Sequence, residues 1–184
     1  MMTRRALLAL LALISVAAAP RFSYSQHGGT VVVIVRHAEK DSVPANDPPL
    51  TAAGKARAAA LVSVLANVKV GAVFSTAFAR TRETARPTAE AQGVPIETIT
   101  GRTAAEQGES VLQAVKKHPG ETILVVGHSN TVMAIVAALG GPKLPDLCDG
   151  QYSKLLTVIV DQGKSRLIQG SYGAVVDSCG NSMR

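Results

Sequence analysis

The stretch "VVVIVRHAEK", Val31 to Lys40, sets five apolar residues directly before Arg36, His37, Ala38, Glu39 and Lys40. An unbroken Val/Ile run of this length is the pattern of a strand buried on both faces, as in a parallel sheet covered by helices. A buried strand that ends in a crowd of charge is either a solvent-seeking turn or a site at a strand tip. Ligands of open parallel sheets sit beyond the carboxyl ends of the strands, so the other strand ends decide between the two.

Outward from this stretch, buried-strand patterns alternate with helical ones. The loop "DSVPANDPPLT" carries three prolines, and Thr51 is a suitable N-cap for a helix over 52–67. "VGAVFS" (70–75) reads as a second strand, followed by a helix over 77–92 that Pro87 is expected to interrupt or kink. "VPIETI" reads as a short third strand, and 104–118 as an amphipathic helix stopped by Pro119 and Gly120. "ETILVVG" reads as a fourth strand and "TVMAIVAALGG" as an apolar helix ending at a Gly pair. "KLLTVIVD" and "SRLIQGSYG" form a strand pair turning at Gln162-Gly163. The alternation predicts an α/β domain, a three-layer α/β/α arrangement around a mostly parallel central sheet.

Three strand tips then deliver chemistry to one sheet edge: Arg36-His37, Ser75-Thr76 with Arg80 and Arg82 following, and Gly127-His128-Ser129-Asn130. Clustered arginines favour a dianion such as phosphate, which they bind by paired charge-assisted hydrogen bonds. A helix starting near Asn130 adds backbone donors. Imidazole is a competent nucleophile, and neighbouring arginines lower its pKa and keep it neutral. His37 is therefore the candidate nucleophile, with Arg36, Arg80 and His128 stabilising charge on a transferring phosphoryl group.

These motifs resemble those of the histidine phosphatase superfamily, which includes phosphoglycerate-mutase-like enzymes. "RHAEK" is similar to its RHG signature, with Ala38 where Gly is usual, and "PLTAAGKARAAAL" to its LTxxGxxQA segment. "FSTAFARTRETA" resembles SSxxxRAxQTA, and "VVGHSNTV" the second-histidine segment. The resemblance runs from about Thr30 to Gly173. It implies a phosphoglycerate-mutase-like fold, phosphorylation of His37, and a phosphate pocket of Arg36, Arg80 and His128, with a hydroxyl contact from Thr76. Water hydrolyses the intermediate, and neither cofactor nor metal is implied; a metal site of His37, Glu39 and His128 is disfavoured by the arginines among them. Family phosphatases also supply an acid after the third strand to protonate the leaving oxygen. Here "ETITGRTAAEQGES" holds no Glu at the expected place; Glu106 is the candidate, ahead of Glu97 and Glu109, with a solvated helix-face carboxylate as the plainer role for each. Without an acid, only good leaving groups depart readily.

Other polar residues have plainer readings. Glu39 and Lys40 suit a surface pair, Arg82 and Arg86 solvent, His118 a helix end and His27 a leader, while Tyr152 borders the pocket or packs.

Composition narrows the function classes. The chain of 184 residues is expected to form one domain over 26–184, with 47% apolar residues for a core. Residues 1–25 read as a signal peptide, "MMTRR" preceding an apolar run that ends in small residues. Removing its three arginines lowers the formal charge from +6 to +3, too little to argue for nucleic acid. The run is also shorter than a membrane-spanning helix needs, so no stable membrane insertion is expected after cleavage. The chain is thus expected to be exported, to the periplasm or beyond. Cys148 and Cys179 form a disulfide or remain two thiols, the former fitting an oxidising compartment. Expected substrates are a phosphorylated small molecule, glycolipid or phosphoprotein. The leading function is an exported phosphomonoesterase; the alternatives are a mutase-type phosphoryl transferase and a non-catalytic binder of phosphorylated ligands.

Overall fold

The structure is a computed structural model and describes residues 28–175 and 179. The expected signal segment, residues 1–25, and His27 lie outside the described residues. The described elements, in order, are β1 (Thr30–Arg36), α1 (Ala52–Val64), β2 (Val70–Ser75), α2 (Ala79–Gln92) and β3 (Ile96–Thr98). They continue with α3 (Ala104–Lys117), β4 (Thr122–Gly127), α4 (Val132–Ala138), β5 (Lys154–Asp161) and β6 (Lys164–Ser171).

The six strands form one sheet in the order β3-β2-β4-β1-β5-β6. The first four run parallel, whereas β5 joins β1 antiparallel and β6 pairs antiparallel with β5. β1 is central because its side chains are buried on both faces: Val32 and Ile34 pack on the face of α3 and α4, Val33 and Val35 on the face of α1 and α2. Two apolar layers thus sandwich the sheet, giving the α/β/α arrangement. The β5–β6 hairpin turns at Gln162 and Gly163, both at positive φ, as a two-residue turn matched to strand twist requires.

Two local features differ from expectation. α2 continues through Pro87 without interruption, held on one side by α1 and on the other by the sheet, so the lost amide donor does not end it. α3 carries a complete capping box: Thr103 accepts from the Glu106 amide, and the Glu106 carboxylate answers to the Thr103 amide.

The strand register brings three tips level. Arg36 lies opposite Gly127, and Ser75 opposite Val126, so the residues following β1, β2 and β4 emerge together at one edge.

Candidate active site

His37 and His128 meet at this edge, their ring centroids 5.4 Å apart and edge-on. His37 is 3% exposed. Its amide donates to the Gly127 carbonyl at 2.9 Å, continuing the β1–β4 ladder one residue past the strand. Its Nδ1 lies 2.8 Å from the Ala38 carbonyl oxygen. A carbonyl can only accept, so Nδ1 carries the proton and the lone pair is on Nε2. Burial lowers the pKa of His37 to about 3; the Ala38 bond opposes it, and the charges of Arg36, His128 and Arg80 add to the lowering. Burial and the same two arginines lower that of His128 to about 4. Both rings are neutral near pH 7.

Arg36 is 4% exposed and held from several sides. One terminal nitrogen donates to the carbonyls of Cys148 (2.8 Å) and Asp149 (3.1 Å). The other lies 3.6 Å from the Asp149 carboxylate, and the guanidinium carbon sits 4.4 Å from the Tyr152 ring centre. Arg80 emerges from the first turn of α2, its guanidinium 4.2 Å from the Phe78 ring centre and 3.8 Å from Asp47. The buried Nε atoms of Arg36 and Arg80 have no hydrogen-bond acceptor among the described residues. Two donors from two arginines beside two neutral imidazoles are suited to an oxyanion with several acceptors.

Supporting residues explain why the motifs read as they do. Thr84, one turn beyond Arg80, accepts the Ala38 amide at 2.9 Å and donates to the Arg80 carbonyl at 2.7 Å, linking the segments that carry His37 and Arg80. Ala38 is itself fully buried, so only a small residue suits the place where Gly is usual. Thr51 donates to the Glu39 carbonyl through both amide and hydroxyl, and caps α1 through Gly54. Gly54 packs so closely on the Glu39 carbonyl that a side-chain carbon there would overlap it. The threonine and glycine of "LTAAG" therefore hold the backbone two residues after His37.

Of the expected site residues, the structure brings together Arg36, His37, Arg80 and His128. Thr76 is adjacent, but its hydroxyl is engaged by His128 Nε2 at 3.0 Å and Thr81 Oγ1 at 2.7 Å, so it orients the second histidine. Glu106 has a different placement: its carboxylate accepts the amides of Arg102 (2.6 Å) and Thr103 (3.3 Å) at the start of α3. Glu109 bonds Gln113, and Glu97 lies exposed on β3. The charges that lower the two histidines are those of Arg36 and Arg80, with His128 also acting on His37. Glu39, expected to pair at the surface, instead makes a bidentate bond to buried Arg57, which extends to the carbonyls of Tyr172 and Ala174. His118 is a helix-end residue, 3.0 Å from Glu121. Tyr152 borders the pocket, its ring centre 6.2 Å from that of His37. Phe78 borders it opposite, edge-on to His128 at 5.3 Å.

Sequence reasoning did not find Thr84, Phe78, Asp149 or Arg57. Thr84 falls in the "RTRETA" motif, which was the available signal; the others are set by contacts distant in sequence.

Comparison with known proteins agrees with this geometry. Residues 32–102 match the family model described as histidine phosphatase superfamily (branch 1). No curated protein matches the chain. Similar solved structures include the protein histidine phosphatase SixA complexed with tungstate, at 22% identity and TM-score 0.60, covering 77% of this chain and 96% of that one. YhfR of Bacillus stearothermophilus matches at 20% and 0.56, covering 80% and 96%. A phosphoserine phosphatase mutant of Entamoeba histolytica with phosphoserine matches at 15% and 0.56, covering 78% and 96%. The family model thus spans fewer than half of the 184 residues, a segment that carries both arginine-bearing motifs, and the solved structures show that the chain shares their fold.

Proposed function

We propose that the chain is a phosphatase that hydrolyses phosphate esters or phosphoramidates through a covalent intermediate on His37. The observation that carries this is the bond from His37 Nδ1 to the Ala38 carbonyl. It directs the lone pair to Nε2, while burial and the arginine charges keep that lone pair unprotonated at neutral pH.

Arg36 and Arg80 bind the phosphoryl oxygens, and His37 Nε2 attacks phosphorus as the bond to the leaving group breaks. Negative charge building on the phosphoryl oxygens is met by two fixed guanidinium groups in a partly water-excluded site. A bound dianion also offsets the cationic field on His128, so that imidazole gains proton affinity where negative charge is present. Water then attacks the phosphohistidine, its proton passing to solvent, and phosphate leaves with His37 restored.

The leaving group finds no resting-state acid among the described residues: Glu106 caps α3, and both imidazoles are neutral. Groups that depart as weak bases, aryl oxides or a neutral imidazole, are therefore the preferred substrates. That class includes phosphohistidine, consistent with the likeness to a protein histidine phosphatase.

We assign the mature protein to an oxidising, exported compartment. The Cys148–Cys179 disulfide supports this reading together with the apolar leader. Among the described residues no helix is long and apolar enough to cross a membrane.

The test is p-nitrophenyl phosphate hydrolysis with EDTA present, for the wild type and His37→Ala. The reading predicts EDTA-resistant turnover lost in the variant; turnover unchanged by the substitution contradicts it.

A further inference from the structure

Among the described residues, one short segment supplies the hydrogen bonds, the ion pair and the ring contact of the Arg36 side chain. Between Leu147 and Ser153, the carbonyls of Cys148 and Asp149, the Asp149 carboxylate and the Tyr152 ring all face that guanidinium. The ends of the segment are anchored to the fold: Leu147 is buried and donates to the Ser129 carbonyl, while the Ser153 carbonyl accepts from Tyr172. Its middle is bonded mainly to itself, Gln151 to Cys148 and Tyr152 to Gly150. The covalent tie of that middle is the disulfide from Cys148 to Cys179, with 5.6 Å between Cα atoms.

The tail carrying Cys179 is anchored as well. Arg57 donates to the carbonyls of Tyr172 and Ala174 while gripping Glu39, three residues after Arg36. Contacts thus run from Arg36 through the 148–152 segment to the disulfide, and from Glu39 through Arg57 to the chain at Tyr172 and Ala174, with Cys179 five residues further along the sequence.

We infer that the Cys148–Cys179 disulfide, with Asp149 and Tyr152, is a positioning device for Arg36, so that oxidation of this pair tightens binding of the phosphoryl group. The inference rests on Arg36 being a phosphoryl ligand, as proposed above. With the pair reduced, the middle of the segment is released from the tail, and the carbonyls and ring that orient Arg36 lose their common anchor. A buried arginine with several orientations binds an oxyanion more weakly than one held in place. Cys179 is exposed and Cys148 partly so, leaving the bond open to a dithiol. One thiolate of the reductant attacks Cys179, releasing the Cys148 thiolate; its second thiol then closes the reductant's own disulfide and frees Cys179. Two electrons and two protons pass from the dithiol to the pair. Phosphoryl affinity is thereby greatest in oxidising surroundings and weak before the disulfide forms.

The experiment measures inorganic phosphate affinity by calorimetry, with kcat and KM on p-nitrophenyl phosphate, for the full-length chain. The protein is compared oxidised, reduced by dithiothreitol and reoxidised, with thiol alkylation reporting the state of the pair. Reduction is expected to raise Kd and KM about tenfold, the scale of one weakened charge-assisted hydrogen bond, with a smaller change in kcat and recovery on reoxidation. A Cys148→Ser/Cys179→Ser variant is expected to stay at the weak value whatever the reductant. With the disulfide intact, Tyr152→Leu is expected to raise KM and Tyr152→Phe to keep it low. Equal phosphate affinity in fully oxidised and fully reduced protein overturns the inference. So does wild-type affinity in Tyr152→Leu, which removes the route through Arg36. Oxidised protein that binds no phosphate overturns the phosphoryl-site reading, and this inference with it.

Discussion

His37 Nδ1 donates to the carbonyl oxygen of the next residue, Ala38, at 2.8 Å, and Thr84 holds the amide of the same Ala38 at 2.9 Å. The tautomer of His37 is thus set by a peptide unit that α2 itself fixes. Removing the Thr84 hydroxyl should loosen that peptide without touching substrate. Thr84→Val is expected to lower kcat about tenfold, with about 1 kcal/mol lost from stability; steady-state kinetics and denaturant melts check both.

The pH behaviour follows from two lowered imidazoles. Unfolded histidine titrates near 6.5, whereas folded His37 and His128 titrate at about 3 and about 4. Between these values the unfolded chain binds more protons, so stability is fully present above 6.5 and is lost as pH falls toward the folded values. The Tm of the wild type is expected to fall between about pH 8 and about pH 5, and that of His37→Gln to fall less. An equal fall in both proteins removes His37 as a source of the effect.

Glu106 separates a cap from an acid. As the N3 residue of a capping box, its loss in Glu106→Ala should lower stability by about 1 kcal/mol and leave kcat within about twofold. A proton donor would instead lower kcat on phenyl phosphate by about 10²- to 10⁴-fold.

Leaving-group basicity supplies another check. With no acid at rest among the described residues, kcat/KM should drop by about 10²- to 10⁴-fold from phenyl phosphate to an alkyl phosphate such as phosphoserine. Comparable values for the two esters would show that a proton donor is present after all.

Arg57 and Glu39 form an ion pair beneath the site, with the Arg57 side chain 2% exposed. Arg57→Ala leaves Glu39 and two tail carbonyls without their donor, and is expected to lower stability by about 3 kcal/mol. Urea denaturation measures it.

Much of this was legible from sequence because it depends on local pattern. The Val/Ile runs identify the buried strands, and the rule that parallel sheets bind at their carboxyl ends turns Arg36, His37, Arg80 and His128 into one site. Glu106 was read as the candidate acid, and the structure shows it closing a capping box whose Thr103-x-x-Glu106 spacing stands openly in the sequence; the expectation of an acid in that region outweighed the local signal. Glu39 could not be assigned to Arg57 from sequence, because only the fold brings a loop carboxylate to the buried face of α1. The grip of Cys148, Asp149 and Tyr152 on Arg36 spans more than a hundred residues and depends on β5 returning antiparallel beside β1. Pro87 was expected to disturb α2, but packing on both sides outweighs one missing hydrogen bond.

The most direct test of the central claim is a rapid-quench experiment with a ³²P-labelled aryl phosphate, followed by peptide mapping. The account predicts acid-labile, alkali-stable label on His37, formed and lost at rates compatible with turnover and absent from His37→Ala. Label on another residue, or full hydrolysis by His37→Ala with no covalent species, would contradict it.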